Sequence, residues 1–278
     1  MRSISVNRRI TQIGLYIILL LLALIMLVPF VWMLSASLKL NKDVFVIPFA
    51  WIPSHPRWQN YVDIWTKIPL LKFVLNTLKL TIIVTVLQLL TSSFAAYAFA
   101  KLSFRGRDLL FLAYVATIAV PWQVYMVPQF IMMRSIHLAD THLAIILLQA
   151  FSAFGVFMMR QFYAGIPDSL CEAARIDGMN EYQIYARIML PLSKPALSTL
   201  IIFTFVNTWN DFLGPLIYLT TESKKTIQLG LKMFISQYSA EYGLIMAASV
   251  LSLIPVLLIF LLLQRYFVEG IASTGVKG

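Results

Sequence analysis

Polar side chains recur at helical spacing within one apolar stretch near residue 210. The spacing i, i+3, i+4, i+7 and i+11 is shared by Asn207, Asn210, Asp211, Gly214 and Tyr218. Such spacing predicts a single polar face on a helix. These side chains could hydrogen-bond the hydroxyl groups of a solute, or they could join neighbouring helices of a bundle. The sequence leaves both interpretations open, and it allows Asp211 a further role as a cap within its turn.

A second polar stripe lies in an earlier apolar stretch, at Thr77, Thr81, Thr85, Gln88 and Ser92. Ser and Thr commonly hydrogen-bond between packed membrane helices, so helix packing is the favoured interpretation here. Gln88 is also a candidate for a solute path.

Residues that could support catalysis or metal binding are few and scattered. The single cysteine, Cys171, excludes an internal disulfide and a cysteine-based metal site. The three histidines show no ligand spacing, and no Walker A pattern occurs. The apolar stretches contain neither paired carboxylates nor a nucleophile with its base. We therefore expect neither an enzyme nor a metal site.

The composition is that of an integral membrane protein. Of 278 residues, 60% are hydrophobic and 12% are charged, and the net charge is +10. A soluble domain carries about 25% charged residues, and the mean hydropathy of +0.81 does not fit a water-exposed surface. These values exclude a soluble enzyme, a nucleic-acid binder and a disordered regulator. Because the basic residues flank apolar runs, we expect a lipid membrane as their partner and no nucleic acid.

Six segments are apolar and long enough to cross a hydrocarbon core, which needs about 20 residues per helix. They span about 13–34, 73–98, 109–130, 143–159, 196–219 and 244–263. The first is too long for the apolar region of a signal peptide, so we expect it to remain uncleaved. We divide the chain into an N-terminal arm with an external segment, 1–70, and a transmembrane core, 71–278.

The distribution of arginine favours one orientation. Six spans place both termini on the same side, and nine of the eleven arginines fall on that side. By the positive-inside rule this side is cytoplasmic. The external segment Ser35–Lys72 is rich in tryptophan, which predicts either an interfacial belt or a packed cap.

One long cytoplasmic loop, 161–195, holds the densest charge in the chain. Ser169 and Glu172 predict a capping box at the start of a helix over Leu170–Asp177. Gly178 is suited to the left-handed position that ends a helix. A second helix is expected from about Glu181 to Leu190, ending at Pro191. Two short helices that project from a membrane protein suggest a docking element.

This loop resembles the EAA loop of ABC importer membrane subunits. Glu172-Ala173-Ala174, Gly178 six positions after Glu172, and Ile188 with Leu190-Pro191 fill every position of that signature. The resemblance implies a coupling helix that sits in a groove of a cytoplasmic ATP-binding subunit. It assigns the contact to Glu172, Ala173, Ala174, Asp177, Gly178, Ile188, Leu190 and Pro191. Small side chains at Ala173 and Ala174 would permit close approach, and Glu172 could pair with a partner cation.

Other segments extend the resemblance to carbohydrate-type permeases similar to the six-span maltose-transporter subunit. They include Trp51-Ile-Pro53, Ala95–Lys101 and Trp209–Pro215. The resemblance implies an all-α type I (MetI-like) fold in a bacterial cytoplasmic membrane and uptake of a sugar or oligosaccharide. It also implies two ATP-binding subunits, a second, different permease and an external sugar-binding protein. ATP and Mg would be bound by the ATPase, and no cofactor by this chain.

Three other functions compete with sugar import as interpretations of this sequence. An ABC permease for a polyamine, phosphate or amino acid would share the loop, so only the flanking segments argue against it. An ion-coupled secondary transporter should bury acidic residues in several spans, and Asp211 is the only clear one. A membrane enzyme would need a catalytic constellation within the spans, and the sequence offers none.

Overall fold

The computed structural model describes residues 2–235 and 240–275, with side chains described for 11–235 and 240–266. This part of the chain is helical, and its one β feature is an isolated bridge between Ile235 and Ala240. Four of its helices are long and apolar enough to cross a membrane; if each of two bent helix pairs makes one crossing, there are six. Residues 276–278, assigned above to the cytoplasmic side, lie outside the described residues.

The helices follow one another along the chain with few long connections. They are α1 (Arg2–Ser37), α2 (Asn60–Lys67), α3 (Leu70–Lys101), α4 (Arg107–Ala116), α5 (Trp122–Ser135), α6 (His142–Gln149), α7 (Ala153–Ala164), α8 (Asp168–Ile176), α9 (Glu181–Ile184), α10 (Leu190–Leu192), α11 (Lys194–Trp209), α12 (Leu213–Tyr218), α13 (Ile227–Met233) and α14 (Tyr242–Gly275).

The chain divides into two compact units. The first comprises Met1–Ile68 and Leu231–Leu253, and the second comprises Pro69–Gly230 and Ile254–Gly278. The first boundary lies near the predicted division at residue 70. The prediction placed Leu231–Leu253 in the transmembrane core, 71–278, whereas the structure groups these residues with the first unit.

In the first unit, α1 carries apolar side chains on all of its faces. Between residues 11 and 34 these side chains are almost all exposed within the chain. A helix that is apolar all round and not buried by its own protein is typical of a membrane span.

The segment after α1 is held by buried polar contacts. Asn60, at the start of α2, donates from Nδ2 to the carbonyl oxygens of Ser37 and Lys39, at 2.8 and 2.9 Å. The Lys39 ammonium lies 3.8 Å from the centre of the Phe49 ring, and burial lowers its pKa. The tryptophans of this segment, at 51, 58 and 65, are exposed. Their exposure fits the interfacial belt better than the packed cap.

In the second unit, α3 packs along α7 and α11. The approach of α7 to α3 depends on Gly155. A Cβ at this position would overlap Ser92 Oγ and lie 3.1 Å from Ser92 Cβ. Glycine therefore allows the two backbones to come together where Ser92 is buried.

Three of the predicted spans are interrupted. A bend of 99° separates α4 from α5 at Pro121, as the prolines suggested, whereas Pro128 lies within α5. Residues 150–152 separate α6 from α7, and residues 210–212 separate α11 from α12.

The expectation of one polar helix face over 207–218 was therefore wrong. Helix α11 ends at Trp209, where the Asp211 side chain accepts a backbone hydrogen bond from Gly214, and Gly214-Pro215 follows closely.

In the loop 161–195, two helix ends differ between the prediction and the structure. There is no capping box at Ser169, since α8 begins at Asp168 without a side-chain cap. The capping box lies instead at the next helix, where the side chain of Asn180 and that of Gln183 each bond the other's backbone N–H. That second helical segment continues through a π-turn past Pro191 to Leu192. A bend of 77° then leads into α11.

We expect Gly155→Ala to destabilise the transporter by about 1–3 kcal/mol, because an added methyl group overpacks the α3–α7 contact. Thermal unfolding of the detergent-solubilised complex would show a lower Tm. Gly165→Ala, at the exposed end of α7, adds a methyl group in ordinary contact only and serves as the control.

Introducing Ser92→Gly into the Gly155→Ala variant removes the atoms that the new methyl group would meet. The double variant should therefore be more stable than the sum of the two single effects predicts. Strict additivity would show that the α3–α7 approach does not limit packing here.

Candidate functional site

The coupling loop, residues 161–195, has one face buried in its own hydrophobic core. Cys171 and Ala174 point from α8 into a cluster that includes Ile184 and Met189 of the loop and Tyr97 of α3. Burial raises the pKa of the Cys171 thiol. This packing fixes how α8 is oriented on the helices beneath it.

The opposite face of α8 is open. Glu172, Ala173 and Asp177 are exposed, and the side chain of Ile176 is 87% exposed. The expectation that Ala174 also faces a partner was wrong, since that residue is 3% exposed and packs inward. Sequence analysis missed Ile176, whose position four residues after Glu172 could have revealed it.

Gly178 ends α8 in the left-handed conformation that the sequence predicted, with φ of +82°. Its amide donates to the Arg175 carbonyl at 3.1 Å, and the Met179 amide donates to the Ala174 carbonyl at 3.0 Å. No atom lies within 4 Å of a Cβ built on Gly178. Backbone conformation alone, not crowding, therefore calls for glycine at this position.

The remaining signature residues, Ile188, Leu190 and Pro191, lie after α9, where the loop leads into α11. Ile188 is partly buried and packs against the cluster, Leu190 is half-buried, and Pro191 is exposed. Their positions along the π-turn and α10 are those of a connection from the loop into α11.

Two sets of polar contacts tie the coupling loop to the end of α3. The Lys101 side chain is 3% exposed, and its Nζ lies 2.5 Å from both the Ile166 carbonyl oxygen and Asp168 Oδ1. This hydrogen bond lowers the pKa of Asp168. One turn earlier, the Tyr97 hydroxyl donates to Glu181, which also pairs with Arg175. Sequence analysis did not find these contacts, because the partners are distant along the chain.

A second polar site lies where two of the three interrupted spans meet, at the break after α6 and the break after α11. Gln149, the last residue of α6, donates from Nε2 to Asp211 Oδ2 at 2.7 Å. The Gly214 amide donates to the other carboxylate oxygen at 3.1 Å, so Asp211 also caps its turn. We call the pair Gln149 and Asp211 the junction. Sequence analysis identified Asp211 but missed Gln149.

Helix α3 supplies hydrogen-bond donors to the carbonyl groups that the break after α6 leaves free. Gln88 Nε2 donates to the Gln149 carbonyl at 2.7 Å, and Thr91 donates to the Ala150 carbonyl at 2.8 Å. The Gln88 oxygen accepts from Thr204 of α11 at 2.9 Å. The α3 stripe therefore serves helix packing here, while Gln88 also reaches the junction.

Two cavities lie on either side of the junction and share both of its residues. The aromatic cavity, of about 250 Å³, is lined by residues that include Trp122, Tyr125, Gln129, Gln149, Asp211 and Tyr218. The polar cavity, of about 290 Å³, is lined by residues that include Gln88, Gln149, Ser152, Thr204, Asn207 and Asp211.

Four of the five candidate path residues thus line a cavity, and Asn210 does not. Asn210 is exposed and accepts a hydrogen bond from Gln228 at 3.1 Å. Tyr218 is buried, and its hydroxyl donates to Gln129, which also accepts from the Trp122 indole. Sequence analysis missed Trp122, Tyr125 and Gln129, although their spacing of i, i+3 and i+7 on α5 could have revealed one shared face.

A neighbouring carboxylate holds the backbone beside Tyr218. The Asp140 amide donates to the Tyr218 carbonyl at 3.0 Å. The carboxylate of Asp140 accepts from Thr221 and from the Lys224 ammonium. These donors hold the pKa of Asp140 well below its usual range.

Comparison with known proteins places the whole chain in one family. Residues 88–273 match the binding-protein-dependent transport system inner membrane component. The arabinooligosaccharides transport system permease protein AraQ of Bacillus subtilis is 35% identical over 270 residues, covering 96% of each chain. The diacetylchitobiose uptake system permease protein NgcG of Streptomyces coelicolor is 31% identical, covering 98% of this chain and 90% of the relative.

A third relative and a solved structure broaden the solutes represented. The sn-glycerol-3-phosphate transport system permease protein UgpE of Yersinia pestis is 34% identical, covering 96% of this chain and 98% of the relative. A crystal structure of a bacterial ABC transporter involved in the import of the acidic polysaccharide alginate contains a chain 27% identical to this one. That chain superimposes with a TM-score of 0.81 over 93% of this chain and 97% of its own length.

These similarities confirm the predicted all-α importer permease fold and a transport subunit rather than an enzyme. The chain belongs to the binding-protein-dependent transport system inner membrane component family.

Proposed function

We propose that this permease is one of two membrane subunits of an ATP-driven importer for a sugar or oligosaccharide. The two faces of α8 carry the proposal. One face is buried against Tyr97 and Met189, while on the other Glu172, Ala173 and Ile176 are exposed among the residues that the structure describes. An exposed isoleucine beside a small residue and a carboxylate suits a protein groove with a cationic rim.

The partners follow from this surface and from the family. We propose that two ATP-binding subunits bind the coupling loops of this permease and of a second, different permease. ATP and Mg would be held by those subunits, since this sequence has no P-loop. An external solute-binding protein would deliver the substrate.

We propose a multi-pass topology in the bacterial cytoplasmic membrane, with both termini and the coupling loop in the cytoplasm. The arginine distribution supports this orientation, because nine of the eleven arginines fall on the proposed inner side. The family's assignment to the inner membrane agrees with it.

Helix α3 would carry movement of the coupling loop toward the solute path. Lys101 and Tyr97 bind the loop at one end of α3, and Gln88 binds the junction thirteen residues earlier. That separation is about 20 Å along a helix at 1.5 Å per residue. A displacement of α8 by an ATP-binding subunit could therefore reach the junction through one continuous helix.

The relatives named for arabinooligosaccharides and diacetylchitobiose support a sugar as the solute. The relative named for sn-glycerol-3-phosphate supports a second candidate, a small non-sugar solute. Uptake of labelled compounds by cells that carry or lack this permease would decide between them.

This chain, purified through an affinity tag from gently solubilised membranes, should bring with it an ATP-binding subunit and a second permease. We expect the complex, and not the isolated chain, to hydrolyse ATP and transport solute in proteoliposomes. A homogeneous preparation of this chain that transports solute by itself would contradict the proposal.

Gly178→Val should uncouple ATP hydrolysis from transport. A β-branched residue disfavours the left-handed conformation, at a cost of about 1–2 kcal/mol or more, and relief of that strain would re-aim α9. We expect normal membrane insertion, at least fivefold weaker crosslinking of Ala173→Cys to the ATP-binding subunit, and loss of substrate-stimulated ATP hydrolysis.

Gly178→Asn is the matched control. Asparagine tolerates the left-handed conformation, and no neighbouring atom obstructs a side chain at this position. This variant should keep most crosslinking and transport. If Gly178→Val performs as well as Gly178→Asn, the loop is ordinary connecting structure.

A further inference from the structure

The junction lies between two cavities of different character. Each cavity lies just below the range of small-molecule sites, which is roughly 300–1,000 Å³. Volumes of about 250 and 290 Å³ suit one ring-sized unit each rather than an extended chain. Gln149 and Asp211 belong to both linings, so their hydrogen bond stands between the two spaces.

The aromatic cavity combines ring faces with hydrogen-bonding groups. Trp122, Tyr125 and Tyr218 supply aromatic rings, and Gln129 and Gln149 supply amides. The hydrogen bonds described for Gln129 use its oxygen, which leaves its NH₂ group as a donor. A sugar ring presents an apolar C–H face and a rim of hydroxyls, and this lining complements both.

The polar cavity combines uncharged hydrogen-bonding side chains with the rings of Phe154 and Phe203. Ser152, Thr204, Thr208 and Asn207 contribute hydroxyls and an amide beside Gln88. Such groups both donate and accept, as hydroxyl recognition requires.

The charge of the lining separates neutral from anionic solutes. Among the described residues, neither cavity is lined by Lys, Arg or His, and Asp211 is the one ionisable carboxyl group in both. Anion recognition relies on cationic partners such as Arg. A carboxylate or phosphate placed here would face Asp211 without compensation.

We propose that the two cavities are consecutive subsites for neutral sugar rings, separated by the Gln149–Asp211 hydrogen bond, and that they disfavour anionic solutes. This inference rests on the proposed function of sugar import and adds the charge class of the substrate. Opening the junction would join the two subsites into one passage.

Charged thiol reagents can test the electrostatic part in the complete transporter. Cys171 is buried and would be replaced by serine. Ser152→Cys then places a thiol in the polar cavity; because the serine hydroxyl caps α7 by accepting from the Gly155 amide at 3.0 Å, normal assembly of this variant is confirmed first. Ser103→Cys, in the exposed turn after α3, is the matched control. We would measure the modification rates of both thiols by a cationic and an anionic methanethiosulfonate.

The cation-to-anion rate ratio should be roughly tenfold higher at Ser152→Cys than at Ser103→Cys, because a cleft focuses the field of its charge. Asp211→Asn should bring the ratio down to the control value. Asparagine can still accept from the Gly214 amide, and Gln149 can invert its amide to keep the junction. The electrostatic part of the proposal would be overturned if the rate ratio at Ser152→Cys equals that of the control. It would also be overturned if Asp211→Asn leaves that ratio unchanged.

Protection by solutes tests the sugar part. Lactose, diacetylchitobiose or arabinotriose should slow modification of Ser152→Cys by an uncharged reagent at least threefold, while sn-glycerol-3-phosphate at equal concentration should not. Protection by the phosphate compound, or by none of the sugars, would overturn the subsite proposal. The copurification and uptake experiments judge the proposed importer separately, so its failure and the failure of the subsites are distinguishable.

Discussion

The structure depends on one requirement of the hydrocarbon core: backbone polar groups without water must find partners inside the protein. Two apolar segments of this chain interrupt their helices, after Gln149 and after Trp209. Gln88 and Thr91 of α3 satisfy the carbonyls at the first break, and Asp211 accepts the amide of Gly214 at the second. Gln88 and Asp211, which line the cavities, thus also help to make the breaks tolerable. Under the proposed function, solute binding and helix packing would be two uses of one network.

Helix α3 joins the parts of the molecule that the sequence presents separately. Its last turns hold the coupling loop through Tyr97 and Lys101, and its middle holds the junction. Glycine at 155 lets α7 approach along the same helix. In the importer proposed here, force from ATP binding would cross the membrane subunit, and one continuous helix bound at both places is suited to that task.

Local signals allowed much of this to be predicted. Composition located the apolar segments, and the helix-ending role predicted for Gly178 is confirmed by its left-handed conformation. The predictions that failed are those that depend on how distant parts of the chain pack together. A periodic stripe could not show that Asn210 would end its helix, and no local rule turns Ala174 inward while Ala173 stays outside. Gln149 and Trp122 belong to the cavities because distant helices meet there, and sequence spacing carries no signal of that meeting.

Helix α1 illustrates how differently evolution can treat parts of one chain. Its side chains from 11 to 34 have almost no neighbours within the chain, so shape complementarity places no demand on them. Selection there acts on the summed hydrophobicity of the span, so Leu, Ile, Val and Met can replace one another. Mutational drift should therefore run fast along α1 and slowly at Gly155 or Lys101, where one side chain alone fits. The sequence divergence at each position among related permeases should then follow the number of packing contacts of that position, and not its distance from the membrane centre.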